Sequence, residues 1–411
     1  LPSYSLGADM ANKDLKWETT ITRNIGVDFG FFNSRLTGTI DAYWNTTKDL
    51  LMKTAIPGIT GFTSTYANVG QTSNKGIEIA LQGVLVKTRD WNVTAGFNIN
   101  FNRGKVDKLA DNVTGLYGTE WATSSTFPKS DYVLKEGRPV GLVRGLTADG
   151  FYTTDDFTYE NGVYTLKKGV ADVSSAVFPN YHLHNGINER PAGQLAYPGM
   201  AKFKDLNDDG IINDDDVDVI GDMTPVHTGG FNINATYKNF DLGLYFNWSY
   251  GNEIYNVNKL AALYGYKEGA VYENKLSIVK DCYKIYDVVN GELVALTTPE
   301  QLNAANANAK LPLAYSENGY VSTLGIEDGS YLRLNTLTLG YTLPKNILQK
   351  VGISNLRVYG SIYNVFTITG YSGIDAEVST STSTKTYPQL GMDWGTYPRA
   401  RSFVLGVNLS F

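Results

Sequence analysis

The end of the chain, residues 400–411, alternates so regularly that it constrains the fold of the whole sequence. Every second residue on one face of an extended strand is apolar, and the series is Phe403, Leu405, Val407, Leu409 and Phe411. The intervening residues are polar or glycine, with only Val404 out of pattern. A strand needs this pattern when lipid lies on one side and a wet lumen on the other. We therefore predict that these five residues form the insertion signal of a membrane barrel.

The same period of two recurs in eight earlier segments, so the sequence predicts nine strands. The clearest is 92–102, where apolar residues alternate with asparagine, threonine and glycine. A further stretch, 137–145, could add a tenth strand. The other predicted strands are 21–31, 36–44, 77–85, 231–238, 242–250, 336–342 and 356–362.

The connections between these segments alternate strictly between short and long. Short turns follow the first, third, fifth and seventh strands, and long segments follow the others. Outer-membrane barrels place short turns on the periplasmic side and long loops outside. We predict an all-β, antiparallel transmembrane barrel portion. Its parts are 1–103 with four strands and one long extracellular loop, 104–228 as a long insert, and 229–411 with five strands.

Composition agrees with a barrel but does not decide the question. Aromatic residues make up 12% of the 411 residues and charged residues only 18%. A soluble glycan-binding β-protein has a similar balance, so it stays open as an alternative. The net charge of -6 makes nucleic acid an unexpected partner. We find no nucleophile elbow or phosphate-binding glycine loop, so nothing in the sequence indicates an enzyme.

An acidic segment inside the long insert, 205–216, fits a calcium-binding loop of the EF-hand type. Asp205, Asn207 and Asp209 occupy positions 1, 3 and 5, and a glycine follows at position 6. Ile211 would offer its carbonyl oxygen at position 7, and Asp216 stands at position 12. Aspartate at the last position predicts a weaker ligand than glutamate. We expect a structural Ca²⁺ that orders the insert.

Aromatic side chains are frequent in the predicted loops, and sugar rings stack on such faces. Packing within the loops and at the membrane interface also uses aromatic residues, so each position has two interpretations. The residues that we predict as ligand contacts are Trp121, Tyr152, Tyr181, Tyr264, Trp394 and Tyr397.

Several segments, taken together, resemble the SusC/RagA-type TonB-dependent outer-membrane transporters. The first, 12–20, is similar to a recurrent Asn-Pro-Asp-Leu-Lys-Trp-Glu segment, with Lys13 where proline is common. The others follow in the family's order and span nearly the whole chain. They are 68–78, 198–212, 331–344, 356–366, 371–375 and 391–401.

The resemblance implies a set of expectations that the residues alone do not give. It implies the C-terminal portion of a 22-stranded barrel in the bacterial outer membrane, with a plug and further strands supplied by an N-terminal part of the same protein. It implies active import of glycan oligosaccharides or peptides. The expected partners are a SusD-like surface lipoprotein, the TonB complex and the barrel assembly machinery. A passive porin or adhesin barrel remains the alternative.

Overall fold

The computed structural model describes residues 9–109, 114–123, 126–178, 190–264, 275–314, 319–348, 352–380 and 389–411. Strands dominate these residues, together with the short helices Val257–Tyr264, Pro299–Ala305 and Lys345–Leu348. None of the helices in these ranges is long and apolar enough to cross a membrane.

One large antiparallel sheet contains every strand that the alternating pattern predicts. Its first two strands, β1 and β2, both pair with β3 and act as one interrupted strand, so the sheet has nine strand positions. The strands are β1 (Thr19–Ile21), β2 (Asn24–Phe31), β3 (Leu36–Lys48), β4 (Gln71–Lys87), β5 (Trp91–Lys108), β6 (His227–Tyr237), β7 (Phe240–Tyr250), β8 (Tyr331–Thr342), β9 (Asn355–Thr369) and β10 (Ser402–Ser410).

From β2 onward each strand pairs with the next strand of the sheet along the chain, and every pair in this sheet is antiparallel. Tight connections join β2 to β3, β4 to β5 and β6 to β7, and Asn33 and Lys238 adopt positive φ in two of them. Long segments join β3 to β4, β5 to β6, β7 to β8 and β9 to β10. Because the sheet is antiparallel, all the long segments leave from the same end. The prediction of an antiparallel barrel sheet is confirmed.

The two faces of this sheet differ in chemistry as the alternation predicts. One face carries large apolar side chains that are exposed, among them Ile25, Val27 and Leu405. In a water-soluble sheet such a face would be covered, whereas in a membrane barrel it faces lipid. On this face the Trp248 ring lies over Gly229, where an added Cβ would approach it to 2.4 Å. Only glycine leaves room for that ring.

The largest buried cluster of the described residues lies in the long segments, whereas the sheet contributes only a few buried side chains such as Val106 and Leu334. The cluster is centred on aromatic and aliphatic residues of 109–226 and 251–330, joined by Met392 from the segment before β10. Because residues from three long segments share this core, the segments form one folded body, which we call the loop body. Its largest fully buried side chains include Tyr152, Tyr164 and Tyr255.

Short strands build most of the regular structure outside the large sheet. The stretch 137–145, predicted as a possible tenth barrel strand, contributes Leu142–Gly145, but this strand pairs with Asp218–Asp222 and Tyr132–Leu134 instead. It therefore belongs to the loop body. The remaining short strands are Asp9–Met10, Leu51–Ala55, Ser64–Asn68, Leu116–Gly118, Thr126–Phe127, Ala148–Phe151, Phe157–Glu160, Val163–Leu166, Asp172–Val173, Ala201–Phe203, Ile211–Ile212, Glu253–Asn256, Tyr286–Val289, Glu292–Ala295, Gly319–Tyr320, Ile326–Asp328 and Met392–Asp393.

Candidate functional site

The acidic loop 205–216 is a turn held by its own carboxylates. Asp205 accepts hydrogen bonds from the backbone N–H groups of Asp209 (3.3 Å) and Gly210 (2.7 Å). Asn207 Oδ1 accepts from the N–H of Asp209 (3.1 Å), and Asp209 Oδ1 accepts from the N–H of Ile211 (2.8 Å). Gly210 has φ of 85°, as the sharp turn at position 6 requires. The side chains predicted for positions 1, 3 and 5 thus lie on the inside of one turn.

Asp216 closes this loop from a fully buried position. Its Oδ1 accepts from the N–H of Leu206 (2.7 Å) and its Oδ2 from that of Asn213 (2.8 Å). Both oxygens therefore already bind main-chain amides. Within the described ranges, no group of three or more His, Cys, Asp or Glu side chains is arranged to hold a metal ion. A cation at this loop would need Asp216 and the turn residues to move closer together.

Two of the aromatic residues predicted as ligand contacts lie within or against the core of the loop body. The Tyr152 ring is fully buried beside Phe157, and its hydroxyl donates to the Ala171 carbonyl (2.6 Å). Its faces are covered, so Tyr152 serves as a packing residue in this arrangement. Trp121 is half-buried against the same core. The backbone N–H of Trp121 donates to the buried carboxylate of Asp131 (2.9 Å), which also accepts from the backbone amides of residues 120 and 122.

The remaining aromatic candidates differ in how accessible they are. Tyr397 is 87% exposed and Trp394 is 48% exposed, both in the segment before β10. Their rings remain open to a ligand. Tyr181 and the side chain of Tyr264 lie outside what the structure describes.

The five residues predicted as an insertion signal lie on or directly after the last strand. Four of them alternate along β10, with Phe403 and Leu405 among the most exposed large apolar side chains, and Phe411 follows the strand directly. Among the strands that the structure describes, β10 pairs with β9 alone and forms one edge of the sheet.

A buried ion network fixes the segment before β10 to the start of β8. Arg333 of β8 pairs with Asp375, and both side chains are almost completely buried. Glu377 lies 3.3 Å from Arg333 Nη1, and Arg399 contacts Asp375 (3.3 Å) and Glu377 (3.0 Å). Four charges of alternating sign thereby bind the last long segment to the barrel wall.

A second polar centre joins this segment to the loop body. Glu327 accepts from the N–H (2.9 Å) and hydroxyl (2.9 Å) of Ser372 and pairs with Lys259 at 3.1 Å. Burial raises the pKa of Glu327, but the hydrogen bonds from Ser372 and the charge of Lys259 outweigh burial and hold this pKa below its ordinary value. The ionised carboxylate is therefore the form that the fold stabilises.

The inner face of the sheet holds residues that our sequence reasoning did not select. Tyr245 of β7 and Tyr363 of β9 alternate with outward residues and are 45% and 43% exposed. The signal was present in the alternation, because inward positions of a barrel strand face the lumen. The residues predicted above as ligand contacts all belong to the predicted loops.

An antiparallel sheet of nine strand positions, with an exposed apolar outer face and long loops at one end, defines a barrel of the outer-membrane type. The family model for the TonB-dependent receptor-like β-barrel matches residues 2–365. The chain belongs to this family of outer-membrane β-barrels, and its resemblance to the SusC/RagA type is confirmed.

Named relatives extend over almost all of this chain. TonB-dependent receptor P3 of Formosa agariphila is 30% identical over 98% of the chain and 35% of the relative. TonB-dependent receptor SusC of Bacteroides thetaiotaomicron is 28% identical over 97% of the chain and 32% of the relative. A solved structure of the RagAB peptide transporter superposes with a TM-score of 0.67 at 24% identity, covering 97% of this chain and 36% of that one. The chain thus spans about a third of these relatives' length.

Proposed function

We propose that this chain forms part of the wall and outer loops of a TonB-dependent importer of nutrient oligomers, either glycan oligosaccharides or peptides. A SusD-like lipoprotein covers the loops, and TonB acts on a plug within the complete barrel. Substrate is captured between lipoprotein and loops and then passes along the inner wall. The proposed role is transport and not catalysis.

The observation that carries this proposal is the loop body. Long segments from one end of the sheet share a single buried core, and the Arg333–Asp375 network fixes one of them to the barrel wall. A passive pore has no need of a folded body above its lumen. A capture device has that need, because a preorganised surface loses less entropy on binding. Family membership supports the energised mechanism.

Outer-membrane fractionation followed by affinity purification of the complete protein tests this assembly. We expect the protein in the outer-membrane fraction, extracted only with detergent, with a surface lipoprotein bound in a constant ratio. Recovery in the aqueous phase without detergent would indicate a soluble glycan-binding protein. Purification of the barrel without any lipoprotein would instead favour the alternative of a passive porin or adhesin.

We also propose that the acidic loop binds a structural Ca²⁺. The turn already gathers the side chains of Asp205, Asn207 and Asp209 on its inner side, and Asp216 is held beside it by main-chain amides. Oxygen ligands of this kind suit Ca²⁺. A bound cation would also relieve the repulsion among the six aspartates of 205–216.

Thermal unfolding of the complete protein in EGTA and in excess CaCl₂ tests the calcium proposal. At a hundredfold excess over its Kd, calcium should stabilise the loop body by about 2.7 kcal/mol. The double variant Asp205→Asn, Asp209→Asn should lose this gain. Asp208→Asn is the matched control, since Asp208 lies in the same loop but outside the ligand positions. Identical melting in EGTA and calcium, with no bound calcium by atomic absorption, would show that the acidic loop is only a solvated turn.

A further inference from the structure

The inner wall contains a row of uncharged residues that crosses the whole sheet. Strand pairing places one inward residue of each strand position directly beside the next. None of these residues is an aspartate, glutamate, histidine, lysine or arginine. We call this row the inner belt, and its members are Gly30, Thr37, Gln82, Gly96, Asn232, Tyr245, Thr336, Tyr363 and Ser402.

Contacts along the inner belt show that its amides gather on the lumen side. A Cβ added at Gly96 would lie 2.6 Å from Asn232 Nδ2 and 2.9 Å from Gln82 Oε1. The two amide groups therefore meet above the glycine. The absence of a side chain at Gly96 leaves the space in which both amides can lie.

The two tyrosines give the inner belt its flat apolar surfaces. Tyr245 and Tyr363 stand two strands apart, roughly 10 Å, with the small Thr336 between them. The Tyr245 hydroxyl donates to Asn234 Oδ1 (3.1 Å), and Asn234 Nδ2 donates to Asn232 Oδ1 (3.0 Å). This chain of hydrogen bonds fixes the ring while much of it remains exposed.

Charge is nearly absent around these rings. On β5 and β6, inward positions 92–102 and 228–236 are asparagine, threonine and glycine. The inward charges on β7 to β9 are compensated, since Asp241 pairs with Arg357 and Arg333 pairs with Asp375. Along β5 to β9 a charged solute therefore meets only charges that are already paired. The inward carboxylates of Asp28, Asp41 and Glu78 lie on β2 to β4, away from the two tyrosines. A neutral solute needs no counter-charge beside these rings.

We infer that the inner belt is a contact site for neutral oligosaccharide during passage through the lumen. A pyranose ring offers an apolar face to a tyrosine and hydroxyl groups to amides, and the inner belt presents both side by side. Hydroxyl groups exchange readily among closely spaced amides, so the solute can be held without being trapped. This inference rests on the proposed import function and selects the glycan class of substrate.

Retention of ligands by the purified complete protein tests the inner belt. The protein is incubated with a mixture of neutral hexasaccharides from α-glucan, β-glucan, xylan and mannan, together with a tryptic peptide mixture, and retained molecules are measured by mass spectrometry. The wild-type protein should retain an oligosaccharide. The double variant Tyr245→Ala, Tyr363→Ala should retain it about tenfold less, since two stacking faces are lost. Tyr245→Phe with Tyr363→Phe should keep most of the binding.

Two controls separate the inner belt from a general loss of folding. Tyr250→Ala removes an exposed ring from the outer face of the same strand β7, so it should leave oligosaccharide retention unchanged. Heat-modifiable mobility on gels should show that every variant is folded. Three results would overturn the inference that the inner belt contacts oligosaccharide. The folded wild-type protein could retain no oligosaccharide, or the double alanine variant could retain as much as the wild type. The protein could also retain peptides in a way that depends on the same two tyrosines.

A failure of this inference can be told apart from a failure of the proposed function. Solute uptake that needs TonB but is unchanged in the double alanine variant would refute only the inner belt. Uptake that needs the two tyrosines but is independent of TonB would refute only the energised mechanism.

Discussion

Neutralising Asp375 should release the segment before β10 from the barrel wall. Asp375 and Arg333 form a pair whose side chains are only 6% and 3% exposed. In the wild type, Asp375 Oδ1 accepts a hydrogen bond from the backbone N–H of Glu377 (2.9 Å). Asp375→Asn preserves the shape of the side chain and keeps an oxygen that can accept this bond. The variant therefore removes the negative charge with little loss of packing.

The size of the destabilisation depends on which ion-pair partner Arg333 keeps in the Asp375→Asn variant. Removing one partner of a buried ion pair costs about 3–5 kcal/mol. Glu377 still lies 3.3 Å from Arg333 Nη1, but its side chain is 37% exposed and is shared with Arg399. We therefore expect the lower end of that range, about 3 kcal/mol, which is roughly a hundredfold in the opening equilibrium of the segment.

Hydrogen exchange with mass spectrometry on the complete protein measures this opening directly. Amides in 371–380 should exchange roughly a hundredfold faster in Asp375→Asn, while amides of β6 and β7 remain unchanged. Glu377→Gln is the matched control, and its greater exposure predicts an effect below about fivefold. If both variants accelerate exchange equally, the buried pair is not what holds the segment, and the reasoning is refuted.

Three further predictions concern the loop body, its acid sensitivity and the outer face of the barrel. Asp131→Ala should lower the free energy of unfolding of the loop body by about 3 kcal/mol, because three amide donors, one buried and two partly buried, lose their shared acceptor; a thermal melt no different from wild type would contradict this. The lowered pKa of Glu327 means that its stabilisation is fully present above the unfolded-state value of about 4.3 and is lost as pH falls through the folded value. The melting temperatures of wild type and Glu327→Gln should therefore converge in acid. A difference in melting temperature that stays constant with pH would contradict this prediction. Leu405→Lys on the outer face of β10 should destabilise the inserted barrel by about 2–4 kcal/mol if it lies near the bilayer centre, whereas Asn408→Lys on the inner face should change little; heat-modifiable mobility measures both, and equal losses would reverse our assignment of the faces.

The strands of the large sheet were predictable because the membrane imposes a period of two on each of them. Each strand must be apolar toward lipid and polar toward the lumen, so local sequence alone identifies it. The alternating loop lengths then gave the antiparallel order. Local composition did not distinguish the segment 137–145 from a barrel strand, because a short buried strand of the loop body has a similar composition.

The interior of the loop body was not predictable in the same way. Whether an aromatic ring is covered depends on contacts far along the chain, and Tyr152 packs in a core whose members extend to Met392. Arg333 and Asp375 are 42 residues apart, and neither shows its partner locally. Tyr245 and Tyr363 were readable as inward residues, but their alignment in one row depends on strand register, which only the structure gives.

Energised uptake is the most direct test of the central claim. Cells producing the complete protein are grown on a mixture of oligosaccharides and peptides, with and without depletion of TonB, and disappearance of each solute from the medium is followed by mass spectrometry. Our account predicts that a defined class of oligomer disappears only when both the protein and TonB are present. If the oligomer disappears from the medium at the same rate after TonB depletion, energised import is contradicted and a passive pore is favoured.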